Sequence, residues 1–283
     1  MNWLEALVLG IVQGLSEYLP ISSSGHLEIF KQVLGLDLDP DKSLEFSVIL
    51  HVATVLSTIV VLWKEFLPLL VSFFTFKRDS KFYYVCKILL SCIPVAIVGF
   101  CFKDWVASMF EGNLTVVGIC LLVTAVLLSF AYYYRRQPDT APTALAPNSV
   151  KSHDISWWDA FVIGCAQAVA VMPGLSRSGS TIATGLLLGD KKEDVAKFSF
   201  FMVIIPILGE GLLDIKKMLE PAADAAVAAG NEAVGFLPLI VGFISAFVVG
   251  CIACKWMLDI VKKGKLIWFA VYCAAAGLFC LCW

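Results

Sequence analysis

Residues 13–26 read Gln-Gly-Leu-Ser-Glu-Tyr-Leu-Pro-Ile-Ser-Ser-Ser-Gly-His, and residues 173–181 read Pro-Gly-Leu-Ser-Arg-Ser-Gly-Ser-Thr. Each interrupts a long apolar stretch, roughly 3–34 and 156–189, with Pro, Gly and hydroxyl residues that stop a helix. The surroundings make these interruptions informative. Of 283 residues, 59% are hydrophobic and only 16% charged, and the net charge is −2. Mean hydropathy is +0.85. An ordinary soluble domain runs near half apolar and a quarter charged. The balance excludes a disordered chain, a typical soluble enzyme and a nucleic-acid binder, which needs a basic field. An integral membrane protein remains. In that setting, broken backbone survives only when buried in protein or lining a wet cavity. Both stretches therefore predict re-entrant helix–loop–helix hairpins.

A spanning helix needs ~20 mostly apolar residues. Six segments meet that need: 46–63, 85–102, 114–134, 197–213, 236–257 and 266–283. The two hairpin stretches also match each other at a constant offset of 154. Trp3, Glu5, Ala6, Val8, Gly10 and Gln13 fall on Trp157, Asp159, Ala160, Val162, Gly164 and Gln167. Ser22, Ser24 and Gly25 fall on Ser176, Ser178 and Gly179. Glu45-Phe-Ser against Lys197-Phe-Ser is a weaker match that needs a two-residue gap. The predicted fold is an all-α polytopic membrane protein with an inverted-topology repeat, each half one re-entrant hairpin plus three transmembrane helices. Three spans per half turn the second copy upside down, so that the broken elements meet near the bilayer midplane. The whole chain, 1–283, then forms one membrane domain. Its halves, 1–136 and 155–283, are joined by the Pro-rich linker 137–154.

Lys and Arg are expected to concentrate in cytoplasmic loops. One side collects thirteen (Lys64, Lys77, Arg78, Lys81, Arg135, Arg136, Lys151, Lys191, Lys192, Lys197, Lys262, Lys263 and Lys265) and the other five (Lys31, Lys42, Lys103, Lys216 and Lys217). That puts both termini outside the cytoplasm. The first hairpin then enters from the outer face and the second from the cytoplasmic face. No cleavable signal peptide is expected, because the N-terminus lacks a basic region and its apolar run meets Glu17 and Pro20. The ten cysteines all lie in apolar segments and read as small hydrophobes, including the Cys251/Cys254 pair. The Ala-rich region within 214–235 reads as an external loop or short surface helix, and the oligomeric state is not legible.

Ionisable residues inside membrane segments are costly and are functional candidates by default. Glu17, His26 and Arg177 fall within the hairpins, among Gln13, Ser22, Ser23, Ser24, Ser176, Ser178, Gly179, Ser180 and Thr181. Gln13 and Glu17 share a helix face, and Ser23 and His26 are spaced to meet. His51 begins a span and reads as an ordinary helix histidine. Ser176–Thr181 suits a phosphate, since a helix start presents free N–H groups and Arg177 adds a forked permanent charge. Neither a Walker loop nor a dinucleotide fingerprint occurs, so no nucleotide partner is expected. The second His that phosphatidic-acid phosphatases carry is missing near Ile182 to Thr184.

These two motifs, Gln13 to His26 and Pro173 to Thr181, resemble those of the bacterial undecaprenyl-diphosphatase (bacitracin-resistance) family over essentially the whole chain. The resemblance implies hydrolysis of a C55 polyprenyl diphosphate to its monophosphate on the outer face of the cytoplasmic membrane. That reaction recycles the lipid carrier for cell-wall synthesis and confers bacitracin resistance. It also implies a divalent cation, Mg²⁺ or Ca²⁺. The family's first acidic position is Gln13 here, so any carboxylate role falls on Glu17. The expected roles follow. Arg177 and the 176–181 amides hold phosphate, with Gln13, Ser22 and Ser24 alongside. Ser23 attacks phosphorus or orients a water, and His26 exchanges the proton. Glu17 holds the cation or orients His26. The competing reading is a transporter or flippase of lipid phosphate or a small anion, which the inverted-repeat plan also suits.

Overall fold

The computed structural model describes residues 1–36, 40–102, 114–135, 153–219 and 235–283. Twelve helices account for nearly all of them: α1 Trp3–Ser16, α2 Ser23–Val33, α3 Pro40–Val61, α4 Trp63–Phe74, α5 Ser80–Cys101 and α6 Leu114–Arg135 in the first half, and α7 Trp157–Val169, α8 Arg177–Leu188, α9 Lys192–Met202, α10 Ile204–Leu219, α11 Phe236–Lys262 and α12 Ile267–Cys282 in the second. The protein is all-helical, as a polytopic membrane protein built on apolar runs should be. The two interrupted stretches do fold as helix–break–helix units, α1–α2 and α7–α8.

Both units begin alike. Asn2 caps α1 and Ser156 caps α7, each answered by an acid three residues on, Glu5 and Asp159, in a reciprocal capping box. Both breaks also follow from local chemistry. Pro20 has no N–H and restricts Leu19, so the chain leaves the helix after Glu17. Ser22 then restarts it as the N-cap of α2, at φ 72°, a left-handed conformation that L-residues seldom adopt. In the second unit Gly174 makes the turn at φ 88°, and Ser176 caps α8.

Of the six expected spans, three are single helices long and apolar enough to cross a bilayer: α5, α6 and α11. The others differ. The 46–63 segment belongs to α3, which turns by 91° at Leu62 into α4, a helix the sequence reading did not separate. The 197–213 segment is not one helix but breaks at Val203 between α9 and α10. The cause is Pro206, which offers no N–H to the Met202 carbonyl; the Cys92 thiol donates to that oxygen instead, at 3.4 Å. The 266–283 segment is α12, only 16 residues long. The linker expected at 137–154 and the loop within 214–235 lie mostly outside the described residues. The linker's end is tied down: His153 pairs with Asp190 in a lone β-bridge.

The halves exchange partners. The first hairpin helix of each half packs on the fifth helix of the other, α1 on α11 and α7 on α5. The sixth helices, α6 and α12, pack on each other. At the centre the hairpin breaks touch. A Cβ on Gly25 would lie 2.9 Å from the Gly174 Cα, and the Ser178 hydroxyl donates to the Leu19 carbonyl at 3.1 Å. The two segments that match in sequence thus come together at one junction. All ten cysteines are free thiols, and eight of them are buried or partly buried in helix packing alongside the apolar core.

Candidate active site at the hairpin junction

Glu17 sits at this junction, where α1 ends and its backbone N–H still bonds the Gln13 carbonyl at 3.0 Å. Its carboxylate is buried and held from every side. Arg177 donates from Nη2 to Oε1. Oε2 accepts from Gln13 Nε2 at 2.9 Å and from the Ser23 hydroxyl at 2.8 Å. His51 Nε2 stands 3.8 Å from the same oxygen. Four of these residues come from the broken hairpins and one, His51, from α3. A buried ion pair of this kind contributes little net stability, but loss of one partner strands the other charge at a cost of about 3–5 kcal/mol. Carrying such a pair is sensible where the charges do chemistry.

Tyr18 fixes the junction to α3. Its hydroxyl lies 2.6 Å from the Thr54 carbonyl, 2.5 Å from Ser57 Oγ and 2.8 Å from Thr58 Oγ1. This anchor sets α3 against the end of α1, and one turn back along α3 it brings His51 to Glu17. A cavity opens beside the Glu17–Arg177 pair, lined by Tyr18, Val55, Phe200, Val203 and Ile207 together with hydroxyls of Thr54, Thr58, Ser178 and Ser199. Phe200, Val203 and Ile207 flank the break between α9 and α10, so the proline that splits that segment shapes one wall.

The expected site residues divide into two groups. Glu17, Arg177, Ser23 and Gln13 converge. Arg177 Nη1 and Gln13 Oε1 are buried with no hydrogen-bond partner in this structure, as is Ser180 Oγ. These atoms are available to a ligand. Most of the remaining hydroxyls are occupied by the fold. Ser176 Oγ caps the Gly179 N–H at 3.0 Å, and Ser22 Oγ caps the Gly25 N–H at 3.3 Å. Ser178 reaches the Leu19 carbonyl, and Thr181 Oγ1 bonds the Arg177 carbonyl at 2.8 Å and Ser199 Oγ at 2.6 Å. Ser24 lies 3.4 Å from Ser22 Oγ. Gly179 is buried where a Cβ would meet Ser176 at 3.0 Å and Pro20 at 3.3 Å.

His26 departs from expectation. The anticipated contact with Ser23 does not form. Its Nδ1 faces the Ser22 carbonyl at 2.8 Å, one turn back, and its Nε2 meets the Tyr272 hydroxyl of α12 at 2.7 Å with the rings stacked. A carbonyl only accepts, so Nδ1 carries the proton and Nε2 accepts from Tyr272. Both nitrogens are committed, and the ring ties α2 to α12. The histidine at the carboxylate is instead His51, which sequence reading set aside. The signal was present: His51 is an ionisable residue within an apolar span. Tyr18 and Tyr272 were missed for want of any local signature, since their partners lie 36 to 40 and 246 residues away.

Comparison with known proteins agrees with this chemistry. The family described as bacitracin resistance protein BacA matches residues 6–279. The chain is 54% identical over 282 residues to the undecaprenyl-diphosphatase of Bacteroides thetaiotaomicron, covering 98% of this chain and 97% of that one. It is 53% identical over 281 residues to the undecaprenyl-diphosphatase of Parabacteroides distasonis, with the same coverage. The undecaprenyl-diphosphatase of Oceanobacillus iheyensis is 35% identical over 281 residues, covering 97% of this chain and 94% of the relative.

Proposed function

We propose, from the premise that this chain belongs to the bacitracin resistance protein BacA family, that the hairpin junction removes the terminal phosphate of undecaprenyl diphosphate. The observation that carries the reading is Glu17, which joins the Arg177 guanidinium on one oxygen to the Ser23 hydroxyl on the other. A nucleophile hydrogen-bonded to a base, beside a cation that binds phosphate, is the arrangement a phosphoryl transfer requires. Ser23 Oγ attacks the terminal phosphorus while its proton passes to Glu17. The bond from phosphorus to the bridging oxygen breaks, and undecaprenyl phosphate leaves with the electron pair. Water then hydrolyses the phosphoserine. Arg177 supplies its free Nη1 to the phosphate oxygens. The apolar wall of Val55, Phe200, Val203 and Ile207 lowers the local dielectric beside the Glu17–Arg177 pair and strengthens its hold on charge.

The donor set fits the divalent cation that the family resemblance implies. Mg²⁺ and Ca²⁺ take oxygen ligands, and Mg²⁺ is often held by one carboxylate plus substrate phosphates. The Glu17 carboxylate and the orphaned Gln13 Oε1 are the residues that would hold it. Its chemistry there, when bound, is to neutralise charge on the diphosphate.

The same reading assigns the enzyme to the cytoplasmic membrane, with both termini and the substrate on the outer side, where the reaction recycles the carrier for cell-wall synthesis. The swapped packing of the two halves supports an inverted repeat. Ion pairs between Lys197 and Glu65, and between Lys262 and Glu193, gather α4, α9 and α11 at one end, which supports one basic, cytoplasmic side.

Rapid-quench incubation of purified protein with undecaprenyl diphosphate labelled in its terminal phosphate tests the reading. Label trapped on Ser23 is the expected result. Phosphate release without trapped label would move the nucleophile to water, and no release at all would leave the transporter reading in its stead.

A further inference from the structure

Ser23, the nucleophile of the proposed reaction, directly follows a backbone position that ordinary L-residues avoid. Ser22 sits at φ 72° and ψ 103°, outside the regions open to residues with a Cβ. Such a conformation persists only where its surroundings hold it. Relaxing to negative φ would swing the first turn of α2 and lift the Ser23 hydroxyl from Glu17 Oε2, which it meets at 2.8 Å. Whatever holds Ser22 therefore sets the reach of Ser23.

The hold comes from two directions. Within α2, the Ser22 carbonyl accepts the His26 backbone N–H at 3.1 Å and faces His26 Nδ1 at 2.8 Å. The ring is itself fixed from outside the hairpin. The Tyr272 hydroxyl donates to Nε2 at 2.7 Å, and the two rings stack with centroids 5.5 Å apart and 17° between their planes. The next residue of α12 grips the other side of the break, where the Cys273 thiol donates to the Pro20 carbonyl at 3.4 Å. Tyr272 and Cys273 thus bracket Ile21 and Ser22 from a helix that belongs to neither hairpin. Tyr272 is half-exposed at the edge of the bundle, yet its hydroxyl turns inward to a buried imidazole. Stacking alone needs only phenylalanine; the hydroxyl adds a choice of tautomer. A phenol proton on Nε2 leaves the ring hydrogen on Nδ1, the form that the Ser22 carbonyl requires.

We propose that Tyr272 is a positioning residue for the nucleophile: it selects the His26 tautomer that clasps the Ser22 carbonyl, and so keeps Ser23 against Glu17. This inference rests on the phosphatase reading, in which Ser23 carries the reaction. Tyr272 acts through His26 and Ser22 and not on the phosphate. A displacement of about 1 Å at a reacting atom costs on the order of 10²-fold in rate, so a loosened clasp registers in kcat. Affinity for the diphosphate, which Arg177 supplies, is left in place.

The test is phosphate release from undecaprenyl diphosphate by the full-length protein in detergent, with kcat and KM measured for wild type, Tyr272→Phe, Ser22→Gly and the double variant. Tyr272→Phe keeps the stacked ring and should fold; its kcat should fall by about 10-fold with KM changed by less than about 2-fold. Glycine takes positive φ as readily as negative and loses little as an N-cap, so a Ser22→Gly backbone needs less holding. In that background Tyr272→Phe should lower kcat by less than about 3-fold, a rescue that a merely structural role would not give. Nitrogen-15 NMR of histidine-labelled protein reads the clasp without reference to activity, and with three histidines in the chain His26→Gln assigns the signal. His26 should carry its hydrogen on Nδ1 in wild type and exchange between tautomers in Tyr272→Phe. Wild-type kcat in Tyr272→Phe, a raised KM at unchanged kcat, or an undiminished loss in the Ser22→Gly background overturns the proposal alone, as does hydrogen on Nε2 in wild type. A folded wild type that releases no phosphate overturns the phosphatase reading, and the NMR signal still shows whether the clasp exists.

Discussion

Glu17 owes its state to the donors that surround it, and each is separately testable. Arg177→Lys keeps a positive charge but loses the fork that serves the carboxylate and the phosphate together. We expect phosphate release to fall by at least 10²-fold in a protein that still folds, checked by steady-state assay and size-exclusion profile. Ser23→Ala removes the nucleophile and should be as severe, without stranding a charge. His26→Gln should behave differently. Its ring bridges α2 to Tyr272 of α12, so its loss should lower the melting temperature. Part of this was legible in sequence. Glu17 and Arg177 stood out as charges in apolar stretches, and the offset of 154 brought their segments together. The histidines were harder. The three-residue spacing of Ser23 and His26 suggested contact, but the ring turns back to the Ser22 carbonyl, and its outer nitrogen finds a partner 246 residues away. His51 lacked a neighbouring motif, and its position depends on the Tyr18 anchor.

At the level of elements, close packing of α1 on α11 holds the site in place. Gly10 and Gly14 face Gly242, Ser245, Ala246 and Gly250, so the two backbones approach as small residues permit. A Cβ on Gly14 would lie 2.7 Å from the Ala246 carbonyl oxygen and 2.9 Å from the Gly250 nitrogen, both backbone atoms that cannot swing aside. Gly14→Val should therefore push α1 off α11 and move Gln13 and Glu17 with it. The expected destabilisation is about 1–3 kcal/mol or more, as overpacking costs, with activity lost in proportion; thermal unfolding in detergent measures the first and phosphate release the second. The hairpins themselves were readable, because Pro20, Gly174 and the serine caps are strong local punctuation. The break at Val203 also had a signal, Pro206, but hydropathy alone ran through it. The turn at Leu62 carries no such signal: apolar residues continue into α4, and the 91° bend is set by packing.

Over the whole molecule, the exchange of partners between halves makes the site a property of both, since Glu17 comes from the first half of the chain and Arg177 from the second. If the basic end is cytoplasmic, a cysteine introduced for Lys192 should resist impermeant maleimide on intact cells and react after permeabilisation; labelling on intact cells would reverse the orientation. At that end His153 straps the start of the second half to the end of α8, its N–H bonding the Gly189 carbonyl at 3.3 Å and its carbonyl accepting from Lys191 at 3.1 Å. The Asp154 carbonyl, then Asp190 and Asp159, hold the His153 ring above its ordinary value of 6.5. A raised value means the protonated form belongs to the folded state, so its contribution is complete below pH 6.5 and fades as pH rises through the folded value. The melting-temperature advantage of wild type over His153→Gln should shrink from about pH 5.5 to about pH 8.5; a constant gap would remove the charge from the strap. The fold class was legible from composition and the halves from their repeat, whereas the strap joins residues whose pairing no local pattern announces. The central claim, that Glu17, Ser23 and Arg177 make one phosphatase site, is tested most directly by phosphate release from undecaprenyl diphosphate in detergent, where transport cannot register. Wild type should release inorganic phosphate and Arg177→Lys should release almost none; equal release by both, or none from a folded wild type, would contradict it.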